Sequence, residues 1–96
     1  MPEVLDAATV DRALAERSLS WQRHDDQLVK VVTRRGFAGA LAYVNAVGAL
    51  AEAADHHPDI DLRWSTVTLR LSTHSAGGLT VRDLDLAAEI DRLPEA

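Results

Sequence analysis

Apolar and polar positions change period several times along this chain, and each change marks an element. Between Asp6 and about Ser18, the residues Val10, Ala13, Leu14 and Arg17 fall on one stripe at helical spacing. Asp6 is placed to cap that helix, and Glu3 and Asp6 suit the positive end of its dipole. In WQRHDDQLVKVVTRR a polar turn, His24 to Gln27, separates Ser20–Arg23 from the β-branched run Leu28–Thr33, which predicts a hairpin. Gly36 then breaks the strand. From there Phe37, Leu41, Val44, Val47 or Gly48, and Ala51 recur as one helical face, and the alanines between them allow close approach to a sheet.

Pro58 disfavours helical dihedrals at His57, so this second helix is predicted to finish near Asp55 or His56 with His57 extended. Val67, Leu69 and Leu71 alternate with Thr66, Thr68 and Arg70, the mark of a half-buried strand. Leu62 and Trp64 stand in the other parity, which a hairpin turning near Ser65 and a bulged strand explain equally. Ser75 to Gly78 forms a loop whose glycines let backbone approach closely. Thr80 and Asp83 make a short-armed capping box, Leu79 and Leu84 stand at the staple positions, and Leu84, Ala87 and Ile90 supply the stripe of a last helix ended by Pro94. Helix, hairpin, helix, strand or hairpin, helix predicts an α+β fold, an antiparallel sheet covered by helices on one face.

Composition narrows the setting. At 96 residues the chain reads as one domain, long enough to bury roughly 60 to 65% of the surface it exposes when unfolded. It has no cysteine, which removes disulfides and thiolate zinc sites and suits a reducing cytoplasm. The acidic start MPEVLDAATVD does not read as a secretory signal, and the weakly polar run from Phe37 to Ala51 is shorter than the ~20 residues of a bilayer span, so a soluble cytoplasmic protein without a membrane partner is expected. A net charge of −5 opposes the counterion release that drives nucleic-acid binding, and Arg34 and Arg35 read as a solvated face.

The chemistry-bearing stretch is ADHHPDI, residues 54 to 60. A helix ending there puts His56 and His57 at the negative pole of its dipole, with Asp55 and Asp59 flanking them and Glu52 four residues before His56 on the same face. Imidazoles in such a place can exchange protons near neutral pH, although histidines also serve simply to stop a helix. His74, just past the alternating strand beside Ser72 and Thr73, is the further clue, since a rigid element would hold it. A metal site built from His56, His57 and His74 is disfavoured because successive helical residues diverge by about 100°. His24 in its polar turn reads as exposed, and no serine has a nucleophile's setting.

AEAADHHPDI, then the strand, then LSTHSAGGLTVRD together resemble the pterin-4a-carbinolamine dehydratases, whose pattern is E-x-x-x-H-H-P, a strand, S-T-H, a glycine-containing loop and a helix with an early Asp. The likeness runs from about residue 21 to 92 and is most specific from Glu52 to Asp83. It implies a four-stranded antiparallel sheet with three helices packed on one face, assembled as homodimers or homotetramers. It implies dehydration of 4a-hydroxytetrahydropterins to quinonoid dihydropterins without metal or cofactor, in support of aromatic amino acid hydroxylases. In that light His56 and His74 look like the acid–base pair, His57 like a substrate holder, and Glu52 like the group that orients or charges His56. Asp55, His57, Ser72, Thr73 and Ser75 would line the pterin, with Asp83 secondary. Trp21 would either stack on the pterin or pack in the core. The resemblance also leaves room for relatives that act as dimerisation or assembly cofactors rather than enzymes. The chain departs from the family at Ile60 and Arg34, where aromatics are common, and at Ser65, where Asn is.

Overall fold

The structure, a computed structural model, describes residues 3 to 94. Helix α1 (Ala7–Glu16) is followed by strands β1 (Gln22–His24) and β2 (Gln27–Thr33), helix α2 (Gly36–Ala54), strands β3 (Asp59–Arg63) and β4 (Thr66–Leu71), and helix α3 (Val81–Asp91). The four strands form one antiparallel sheet in the order β1-β2-β4-β3. This is the α+β architecture expected. The open question at Ser65 resolves as a hairpin: β3 and β4 pair with Arg63 opposite Thr66.

The two-residue period of the central strands decides which way the sheet faces. Leu28 and Val32 of β2 stand opposite Leu71 and Val67 of β4, and with Leu69 they are the buried row beneath the helices. Thr66, Thr68 and Arg70 alternate onto the other face, where Val31 is 63% exposed. Lys30 has the parity of the buried row. Its Nζ reaches Asp91 at the end of α3 at 2.5 Å, and the same carboxylate accepts the Trp21 indole N–H at 2.9 Å and the Ser20 backbone N–H at 2.7 Å. A charged side chain is tolerated on this face because its partner is fixed and hydrogen-bonded from three sides.

Caps fix where the helices start. Asp6 accepts the Thr9 N–H at 2.8 Å. At α3 both arms of the capping box are made, the Thr80 hydroxyl accepting from backbone and the Asp83 carboxylate accepting the Thr80 N–H at 2.9 Å. Leu79 and Leu84, at the staple positions, are both buried.

The face of α2 differs from the one read in the sequence. Ala40, Tyr43, Val47 and Ala51 point inward, whereas Phe37 and Leu41 are more than 40% exposed. This helix is apolar around most of its circumference, so spacing alone does not single out a face; the small Ala40 and Ala51 are what let it lie close to its neighbours. By length and composition α2 is also the one described helix that could cross a bilayer, yet four of its residues are core. Phe37 stacks on the exposed Trp64 of the β3–β4 turn, ring centroids 6.5 Å apart.

Candidate functional site

Everything at the site depends on how α2 stops. Asp55 adopts the left-handed conformation (φ 51°, ψ 43°), the Asp55 N–H bonds to the Glu52 carbonyl at 3.2 Å and the His56 N–H to the Ala51 carbonyl at 3.1 Å. These two bonds are those of a Schellman motif, and Asp tolerates the left-handed region better than most residues. The chain therefore leaves the helix at Asp55, before Pro58 can matter, and His56 no longer follows the helical spiral.

That geometry corrects the expected partner of His56. Glu52 does not reach it; Glu52 Oε2 lies 2.5 Å from Nε2 of His57, in a pair whose side chains are 79% and 55% exposed. His56 turns inward instead, only 8% exposed, with Nε2 2.6 Å from Oδ1 of the fully buried Asp83. The other oxygen of Asp83 accepts the Thr73 hydroxyl at 2.7 Å and the Thr80 N–H at 2.9 Å, and the Thr73 and Thr80 hydroxyls lie 2.8 Å apart. A buried carboxylate with this many donors is held rigidly, and it holds the imidazole in turn.

The loop from Thr73 to Gly78 completes the arrangement. The Thr73 N–H bonds to the Gly78 carbonyl, while the Thr73 carbonyl accepts from Ala76, Gly77 and Gly78. Gly77 has φ +80°, so a side chain there is strained; a Cβ on Gly78 would sit 3.0 Å from Val4, which packs the segment before α1 onto the loop. The tight loop sets His74 at the surface beside the two α2-end histidines.

A cleft of about 260 Å³ results, lined by Asp55, His56, His57, Ser72, Thr73, His74, Ser75 and Arg82. Three histidines from two segments, 17 and 18 residues apart in sequence, thus share one wall. Among the described residues, no cluster of three or more His, Asp or Glu side chains is arranged to grip a metal ion. What the cleft offers is proton exchange: a buried imidazole locked by a carboxylate, two exposed imidazoles, and a guanidinium.

Several expected residues take other places. Asp83 is 0% exposed, so it touches His56 and not a ligand. Thr73 is 1% exposed and its hydroxyl is committed to Asp83 and Thr80, so it supports the wall from behind. Trp21 is a core residue, 5% exposed and bonded to Asp91, and it does not line the cleft. Burial, not stacking, is what its indole does. Arg82 was not anticipated. It lines the cleft and donates from Nη2 to the Asp55 carbonyl, tying the start of α3 to the end of α2. Nothing in the spacing of VRD distinguishes this from a solvated arginine.

The family model described as pterin 4 alpha carbinolamine dehydratase matches residues 3 to 93. A protein of Nocardia farcinica, provisionally named a pterin-4-alpha-carbinolamine dehydratase, is 56% identical over 73 residues, covering 76% of this chain and 77% of its own. One of the same provisional name from Roseiflexus castenholzii is 47% identical over 93 residues, covering 97% and 99%. Among solved structures, a Brucella melitensis protein described as a transcriptional coactivator/pterin dehydratase superposes with a TM-score of 0.84 at 26% identity, over 93% of this chain and 96% of that one. A pterin dehydratase-like protein described as a RuBisCO assembly factor of the α-carboxysome shares the fold, with a TM-score of 0.60 at 24% identity over 76% and 84%.

Proposed function

This chain belongs to the pterin 4 alpha carbinolamine dehydratase family, and we propose that it dehydrates a 4a-hydroxytetrahydropterin in the cleft bounded by His56, His57 and His74. The observation that carries the reading is the convergence of these three imidazoles on one cleft, with His56 anchored on a buried carboxylate.

Dehydration requires the C4a–O bond to break with a proton delivered to the leaving hydroxyl, so that water departs. A proton is lost from the adjacent ring nitrogen as the carbon–nitrogen double bond of the quinonoid dihydropterin forms. His56 and His74 are the acid–base pair. Asp83 at Nε2 favours the tautomer with the proton on that nitrogen and leaves Nδ1 as the atom that exchanges protons. His57, steadied by Glu52, holds substrate at the rim, with the Asp55, Ser72 and Ser75 segments and Arg82 shaping the walls. The protein acts as a homodimer or homotetramer, in keeping with the edge strand β3 and the exposed Phe37, Leu41, Ile60 and Trp64 around it. Its turnover supports an aromatic amino acid hydroxylase.

The test follows loss of 4a-hydroxypterin absorbance against its spontaneous rate. His56→Ala and His74→Ala should each lower kcat about 10²-fold or more, and His57→Ala should act mainly on KM. Wild-type turnover in the His56→Ala/His74→Ala double variant refutes the roles.

A second reading is favoured by the coactivator description of the Brucella protein: a binding module on the same scaffold, docking through the exposed aromatic patch. A folded wild-type protein that gives no acceleration supports it.

A further inference from the structure

On another part of the molecule, Tyr43 presents an unusual feature. Its hydroxyl is the only buried side-chain polar atom among the described residues with no hydrogen-bond partner, although the residue is only 5% exposed. Such an orphan costs stability unless something else satisfies it. Tyr43 lines two adjoining cavities, which share Arg34, Tyr43 and Leu93 as common wall. The larger, about 370 Å³, also takes in Lys30, Thr33 and Asp91; the smaller, about 190 Å³, is bounded by Gly39, Ala42, Ala46 and Pro94. Neither shares a residue with the histidine cleft.

Among the described residues, the charges in the larger cavity leave one cation over. Lys30 is matched by Asp91, whose two oxygens are already occupied by Lys30, Trp21 and Ser20. Arg34 has no carboxylate partner among the described residues. Its guanidinium carbon stands 4.5 Å from the Tyr43 ring centroid, and its one hydrogen bond is a long contact of 3.5 Å to the Thr33 carbonyl. The Tyr43 hydroxyl is a donor, because burial pushes its pKa up and keeps it protonated, and Tyr43 stands in the common wall of both cavities beside Arg34. A surplus of donors and one positive charge calls for a monoanion with acceptor oxygens, and a guanidinium fork fits a carboxylate in two places. The small-residue annex asks for an apolar body. A dry cavity of about 150 Å³ accommodates a benzene ring.

We propose that this paired cavity binds a small monocarboxylate carrying a single compact apolar group, aryl or branched alkyl. Its carboxylate lies on Arg34 and the Tyr43 hydroxyl, and its apolar group rests against Ala42, Ala46 and Leu93. Binding supplies the acceptor that Tyr43 lacks.

Benzoate is the probe, titrated into the ¹⁵N-labelled full chain. Saturating amide shifts are expected at Thr33, Arg34, Tyr43, Ala46 and Leu93, with a Kd of about 1 mM or tighter. Arg34→Gln should weaken binding about tenfold, and Tyr43→Phe about threefold or more. Tyr43→Phe deletes only an unpartnered hydroxyl, so it should melt no lower than wild type, which separates lost binding from lost folding. Benzamide has the ring without the charge and phosphate has charge without the ring; each should bind about tenfold more weakly. The proposal is overturned by shifts confined to the histidine cleft, by benzamide or phosphate binding as tightly as benzoate, or by unchanged affinity in both variants.

Discussion

Replacing Asp83 with Asn tests the link between the buried carboxylate and the histidine cleft. The side chain keeps its size, so no cavity forms. One oxygen becomes an NH₂ group, and the remaining oxygen can serve only one side of the former carboxylate. Facing Thr80, it keeps the cap bond of 2.9 Å and the Thr73 hydroxyl bond of 2.7 Å, and the amide then points at Nε2 of His56. The imidazole must accept there, and its proton moves to Nδ1, the nitrogen to which the proposed mechanism assigns proton transfer. Hydrogen bonds to a charged group become neutral ones, a loss of about 1 to 2 kcal/mol, or a fall in Tm of roughly 4 °C or more for a domain of this size. Catalysis loses more, because a wrong tautomer in an analogous carboxylate–histidine pair has cost about 10⁴-fold in kcat. We expect a kcat lowered 10²- to 10⁴-fold with KM little changed, measured by 4a-hydroxypterin decay below the variant's melting range. In a His56→Ala background Asp83→Asn should add little. Wild-type kcat in Asp83→Asn, or multiplicative losses in the double variant, refutes the view that Asp83 acts through His56.

Three further outcomes follow from other contacts. Glu52→Gln touches an exposed pair, so melting should shift by no more than about 0.5 kcal/mol equivalent, while KM rises through the loosened His57. Thr73→Val keeps shape but leaves Asp83 and Thr80 each short of a partner; chemical denaturation should show a loss of about 2 to 3 kcal/mol, and no loss means the hydroxyl bonds carry little. Asp6→Ala bears on pH. Hydrogen bonds from Thr9, its side chain first and then its N–H, hold the Asp6 pKa below the ordinary carboxylate value, so its stabilisation is present above that ordinary value and is lost as pH falls through the folded-state pKa. The wild-type and Asp6→Ala melting curves should differ at neutral pH and converge in acid; a constant gap contradicts the charged cap.

Local chemistry made much of this fold legible. Caps at Asp6 and Thr80 and the alternation through Leu71 each involve residues a few positions apart, and each stands where spacing put it; the expected His24–Gln27 turn is tighter, with His24 and Gln27 paired at the ends of β1 and β2. The histidines were also visible as a group. Their partners were not, for two physical reasons. The Asp55 left-handed turn breaks the i, i+4 rule that paired Glu52 with His56, and Asp83 reaches His56 across 27 residues of chain. Lys30 and Asp91 are likewise joined only by the sheet–helix packing, which also claims Trp21. The face of α2 was ambiguous because alanine satisfies either side of a helix.

The two tryptophans, one sealed against Asp91 and one 72% exposed on its turn, amount to a built-in pair of optical reporters. A contact quencher such as iodide should reach Trp64 alone in the folded single chain, leaving a blue-shifted remainder from Trp21. Any subunit or partner that settles on the Phe37–Trp64 stack will shield the first signal without disturbing the second. Unfolding will change both. Assembly and folding can thus be followed separately in one unlabelled sample.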